Sequence, residues 1–136
     1  MKNVNLDHMS SNPVIPEVQE AMIEAIKQNY WNPSSMSTAG EEAATVLQAA
    51  REKVARLINC KDTKEIVFTS GGTESVNHAI KGACLAHSKK GKHIITTNIE
   101  HSSVTRSLKR LGQLGYRVTS VPVDKRGRVN PDDILK

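Results

Sequence analysis

Apolar residues recur four apart at Val18, Met22, Ile26 and Tyr30, the stripe of an amphipathic helix. Pro16 suits the first helical position, and Trp31-Asn32-Pro33-Ser34-Ser35 ends the element. A polar loop runs on to Gly40. From about Glu41 a second seam, Ala43, Leu47, Ala50, Val54 and Leu57, predicts another helix. After Lys61 the pattern changes. Ile66-Val67-Phe68 is a short apolar run of strand type, broken by Ser70-Gly71-Gly72-Thr73. Val76, Ile80 and Ala83 then mark a helix ending near Gly91. Ile94-Ile95-Thr96-Thr97 predicts a second strand, and Val104, Leu108 and Leu111 a helix closed by Gly115. Val118 to Val123 predicts a third strand, and Pro131-Asp132-Asp133 opens a further helix. The order β-α-β-α-β with short links predicts an α/β fold, a mostly parallel sheet flanked by helices, with the two earlier helices packing on it.

Composition narrows the class. The chain has 136 residues, 38% hydrophobic and 24% charged, an ordinary globular balance. That excludes a disordered tail, a collagen-like fibre and a coiled coil. Apolar runs are too short to span a bilayer, and no charged start with an apolar run follows Met1, so neither membrane association nor a secretory leader is expected. Aromatic residues make up only 3%, thin for a self-contained core. Cys60 and Cys84 form no C-x-x-C pair and read as reduced thiols of a cytoplasmic protein. His8, His78, His87, His93 and His101 lack zinc-site spacing, so no metal is expected. Charge is uneven: residues 1–68 carry 7 basic and 9 acidic side chains, residues 69–136 carry 12 and 5. A basic half suits an anionic ligand, nucleic acid or an acidic partner, although solvated helix faces account for most of the lysines. The aromatic platforms of a single-strand binder are absent.

Two loops carry candidate chemistry. Thr69-Ser70-Gly71-Gly72-Thr73-Glu74 joins a predicted strand to a predicted helix. Its glycines let the backbone approach a ligand and adopt conformations that other residues resist. The helix start offers unpaired N–H groups and the positive dipole end, and Thr73 adds a hydroxyl, together a candidate phosphate cradle. It is neither a Walker loop nor a dinucleotide fingerprint. A plain strand-to-helix turn with a Thr cap fits the same residues. Glu100-His101-Ser102-Ser103 follows the next strand, at the same sheet end, where ligands of open α/β sheets collect. His101 there suits stacking on a flat ring or proton transfer. The alternative is a His packed beneath a helix start that Ser102 caps. Asn32-Pro33-Ser34-Ser35 reads as a turn with local side-chain bonds.

These motifs, taken in order, resemble a known family: Leu6-Asp7 with Asn12-Pro13 and Pro16-Glu17-Val18, then Asn32-Pro33-Ser34-Ser35, then Phe68 to Ser75 with Asn77, then Ile99-Glu100-His101-Ser102-Ser103, then Val121-Pro122-Val123-Asp124 with Gly127. The pattern closely resembles the start of the cysteine desulfurases, pyridoxal-phosphate enzymes of the class V aminotransferase group. The resemblance covers essentially the whole chain. It implies the first part of the large domain of a fold-type I enzyme: residues 1–15 as an N-terminal arm and 16–136 as an incomplete cofactor-binding domain. It implies pyridoxal 5'-phosphate as cofactor, with Gly72 and Thr73 on its phosphate and His101, the candidate catalytic residue, against its ring. It further implies a homodimeric transferase that takes sulfur from L-cysteine, leaving alanine, and passes it to an acceptor or iron–sulfur scaffold protein. The family usually has Ala-Thr-Thr where Met9-Ser10-Ser11-Asn12 stands, and His where Ser37 stands.

The Schiff-base lysine, the aspartate partnering the pyridine nitrogen and the persulfide cysteine belong to later parts of such enzymes. Lys81, Lys89, Lys90, Lys92 and Lys109 do not match the lysine motif, and neither cysteine matches the persulfide loop. The chain alone is therefore not expected to complete the reaction. It needs a companion polypeptide or the C-terminal remainder. Other readings are a non-catalytic binding or regulatory module, another class V enzyme such as selenocysteine lyase, or a nucleic-acid binder. The intact Gly-Gly-Thr loop and His101 favour the enzyme.

Overall fold

The computed structural model describes residues 4–135. The expected arm begins in residues 1–3, which lie outside the described residues, as does Lys136. The chain forms two compact units, one up to Val67 and one from Phe68.

The first unit is helical. Helix α1 spans Pro16–Gln28 with its proline in the first turn. Its predicted stripe is exposed: Val18 is 44% accessible, Met22 53% and Ile26 71%. Helix α2 spans Thr38–Leu57 and starts a few residues earlier than its apolar seam indicates, because Ser37 caps it. The Ser37 hydroxyl accepts a hydrogen bond from the Gly40 N–H at 3.2 Å. The loop before it folds on itself: Asn32 Oδ1 accepts from Ser34 N–H at 2.9 Å, and the Asn32 carbonyl accepts from Ser35 N–H at 3.0 Å. Buried Gly40 lets this loop lie against the first turn, since a Cβ there would come within 2.7 Å of the Ser35 Cβ. At the far end Asn59 takes a left-handed φ of 56° and the Cys60 N–H bonds the Ala55 carbonyl at 2.8 Å, closing the helix. A 3-10 turn, Thr63–Glu65, returns along α2, where Gln48 donates to Thr63 Oγ1 and Arg51 to the Ile66 carbonyl.

The second unit is the α/β part. Helix α3 spans Gly72–Ala86, strand β1 His93–Thr97, helix α4 Ser102–Gln113 and strand β2 Arg117–Val121. The strands pair in parallel, with His93 opposite Arg117 and Thr97 opposite Val121. Helix α4 ends at Gly115, whose φ of +86° supplies the left-handed turn. The core lies where α3 and α4 meet the sheet. Leu111 is fully buried beside Leu108 and Tyr116, with Ile80, Cys84, Ile94 and Val104 packed around them. The Tyr116 hydroxyl donates to the Cys84 carbonyl at 2.7 Å, so the buried ring keeps its polar end satisfied. After β2, Val123 bridges Val129 antiparallel across a turn, and the expected last helix is a 3-10 turn, Pro131–Asp133.

One expected element is absent. Ile66-Val67-Phe68 joins no sheet among the described residues. Ile66 is extended, at φ −88° and ψ 113°, but the segment lies where the two units meet in sequence. A strand needs a partner's N–H and C=O groups as well as its own propensity, and here Arg51 takes the Ile66 carbonyl instead. The α/β class and the parallel sheet therefore stand, with two of the three expected strands. No helix among the described residues is long and apolar enough to cross a membrane.

Candidate functional site

The Gly-Gly-Thr loop is built from local hydrogen bonds. Gly71 is the N-cap of α3 and contributes no side chain to its first turn. The N–H groups at the start of α3 therefore lack the usual side-chain cap. A Cβ placed on Gly71 or Gly72 would meet nothing within 4 Å, so the backbone here faces open space. Neither glycine adopts a left-handed conformation, in contrast to the conformational role expected of them. They provide room. The Thr69 and Ser75 hydroxyls face each other at 2.7 Å, and both reach the Gly71 carbonyl at 3.2 Å. Glu74 reaches back to accept from the Ser70 hydroxyl at 2.6 Å and the Ser70 N–H at 2.7 Å. Those two bonds hold its carboxyl below the usual range. Thr73 is exposed, and its hydroxyl takes no partner among the described residues.

His101 is itself the N-cap of α4, the place that the alternative reading of this loop gives to Ser102. Its Nδ1 accepts from the Ser103 N–H at 3.2 Å and lies 2.8 Å from Ser103 Oγ. An imidazole nitrogen has one lone pair in the ring plane, so an accepting Nδ1 carries no proton. The Ser103 N–H aimed at Nδ1 therefore favours the tautomer with its proton on Nε2. Imidazole is an uncommon cap; Ser102, one residue later, lies inside the helix as its first residue.

The structure brings the two loops to one end of the second unit. Asn77 and Ser107 are each the sixth residue of their helix, and they bond: Ser107 Oγ lies 2.9 Å from Asn77 Oδ1. Further along, Cys84 of α3 meets Tyr116 just beyond α4. The helices thus run side by side in the same direction, and their N-termini stand level. Gly72 and Thr73 open one, His101 the other, each about 8 Å of helix from the cross-link. Both lie at the carboxyl end of the strands, because α4 follows directly from Thr97. A cleft of about 430 Å³ between α4 and the sheet, lined by Thr97, Thr105, Leu108, Lys109, Tyr116 and Val118, is a separate feature.

Sequence reasoning passed over Ser107. It is fully buried in a helix otherwise read by its leucines. The available clue was a pair of serines, 103 and 107, four apart on the same face as Val104, Leu108 and Leu111. The Cys60 thiol donates to the Asp62 carbonyl and to Glu65, and partial burial with that carboxylate raises its pKa, which disfavours the nucleophilic thiolate. No group of three metal-ligating side chains occurs among the described residues.

Comparison with known proteins gives a consistent picture. Residues 4–136 match the family model of the class-V aminotransferases. The cysteine desulfurase IscS of Dictyoglomus turgidum is 47% identical over 135 residues, 99% of this chain and 34% of that protein. A solved NifS-like protein superposes with a TM-score of 0.85 at 38% identity, over 94% of this chain and 35% of its own. A structure described as SspA in complex with cysteine gives 0.74 at 35% identity, over 84% and 33%. The chain therefore spans about a third of the length of the relatives it matches. Motifs, parallel α/β core and these similarities together make the chain a member of the class-V aminotransferase family.

Proposed function

We propose that this chain is the N-terminal portion of a pyridoxal-phosphate-dependent cysteine desulfurase, a transferase that takes sulfur from L-cysteine for iron–sulfur or thio-cofactor assembly. In this reading residues 1–15 are an arm and 16–136 the first portion of the cofactor-binding domain. The cytoplasm is its compartment, and the working enzyme is a homodimer that hands sulfur to an acceptor or scaffold protein. The names of its relatives support the activity, and the absence of a matching lysine and cysteine motif assigns those groups to a companion polypeptide or remainder.

The observation that carries the reading is the level pair of helix starts. One presents uncapped N–H groups and a free hydroxyl, and the other an imidazole whose Nδ1 is held by the Ser103 N–H. The residues fit the cofactor. Open space over Gly71 and Gly72 admits a phosphate to the α3 amides, and Thr73 adds a donor. The net positive charge of residues 69–136 favours an anion nearby. Glu74, the one carboxylate in the loop, is turned back onto Ser70. When bound, pyridoxal phosphate supplies an electron sink for bonds at the amino acid's α-carbon. The chain's own part would be to bind the anion at α3, to set the His101 imidazole against the ring, and to hold a proton at His101 Nε2.

The test is equilibrium binding of pyridoxal 5'-phosphate and of pyridoxal to the full chain. Thr73→Ala should weaken binding of the phosphate ester about tenfold, the worth of one charge-assisted hydrogen bond, and leave pyridoxal unaffected. His101→Ala should change the bound cofactor's absorbance more than the melting temperature. Equal losses for both ligands, or no loss, would remove Thr73 from the site.

A further inference from the structure

The two helix starts are joined by an unbroken run of polar contacts that no step above uses. Asn77 Nδ2 donates to the Thr73 carbonyl at 2.8 Å. That bond fixes the amide's orientation and turns Asn77 Oδ1 toward α4, where Ser107 Oγ stands at 2.9 Å. Ser107 is fully buried, and its oxygen also lies 2.8 Å from the Ser103 carbonyl. One hydroxyl proton is thus shared between two acceptors, one on each helix. Ser103, 4% exposed, continues the run through its N–H to His101 Nδ1, with its Oγ 2.8 Å from the same nitrogen.

We propose that Asn77, Ser107 and Ser103 are positioning residues that lock the anion-binding start of α3 to His101 and hold its ring as the Nε2–H tautomer. This rests on the reading of that end as a phosphate-ester site, and it adds a specific claim: occupancy at Thr73 is felt at His101 through Ser107. Plain packing does not call for this arrangement. A buried face shared by two helices is satisfied by alanine, whereas a buried hydroxyl must be bonded or it is costly. The polar groups lie between the two functional loops, while the apolar core lies further down the same pair of helices.

The experiment is NMR on the isotope-labelled full chain, titrated with inorganic phosphate and separately with pyridoxal 5'-phosphate. Backbone amides of Gly72 and Thr73 report the cradle, and the His101 ring nitrogens report the tautomer. In the parent chain both ligands should shift the two amides, and the His101 ring signals should move in step. Ser107→Ala removes the shared hydroxyl with little change in volume. It should keep the amide shifts, weaken phosphate binding about fivefold, and leave His101 as a mixture of tautomers that no longer follows the titration. Ser107→Thr restores the hydroxyl and should restore the coupling, which a purely structural defect would not. Amide shifts absent from the parent chain would overturn the phosphate site and the coupling with it. Amide shifts present, with His101 following them equally in the parent and in Ser107→Ala, would overturn the coupling alone.

Discussion

A methyl group added at Gly40 would meet the backbone and side chain of Ser35. Gly40 also gives its N–H to the Ser37 cap, so one small residue holds both the 32–37 loop and the start of α2. Gly40→Ala should therefore destabilise the first unit by about 1–3 kcal/mol, the usual cost of forced overpacking. A denaturant melt checks this, and an unchanged midpoint would show that the loop yields freely. Legibility differed between residues for a physical reason. Gly72, Thr73 and His101 stood out because their chemistry is local: a loop, a helix start, an imidazole one strand later. Ser107 and Asn77 did not, because their bond joins positions thirty apart and exists only once two helices lie together. His101 as its own cap was hidden by its neighbour Ser102, a commoner capping residue.

Among the elements, the helices were the readable part. A 3.6-residue period is written into each of them, and glycine or asparagine in a left-handed turn closes α4 and α2. The strand expected at Ile66-Val67-Phe68 failed on a different ground. Three apolar residues in a row state a propensity, whereas a strand is defined by what lies beside it. Helix α4 should show how unequal its leucines and those of α2 are. Leu111→Ala opens a cavity at a fully buried site and should cost about 2–5 kcal/mol. Leu57→Ala, at a side chain 83% exposed on α2, should change stability little. Equal effects of the two substitutions in chemical denaturation would contradict the packing of the second unit.

At the scale of the molecule, a small core serves a large apolar surface. Among the described residues six hydrophobic side chains are buried, Ala43, Ala55, Leu108, Leu111, Tyr116 and Val121, while the α1 stripe is open to solvent. That balance accords with a chain spanning about a third of its relatives. Kept apart from any companion polypeptide, the 136-residue chain should bind an apolar fluorescent dye and self-associate as its concentration rises. Sedimentation would reveal this. A dye-silent monomer with a sharp melting transition would mean that the exposed faces need no cover.

The parallel pair β1 and β2 has a further consequence. Among the described residues each strand has one flank unmatched, and its peptide groups point outward in a regular row. Parallel ladders are slow to start, since distant stretches of chain must first be aligned. Here the alignment already exists, with residue 93 facing 117 and 97 facing 121. A newcomer strand would find a template instead of having to create one, so adding to this sheet becomes a matter of extension.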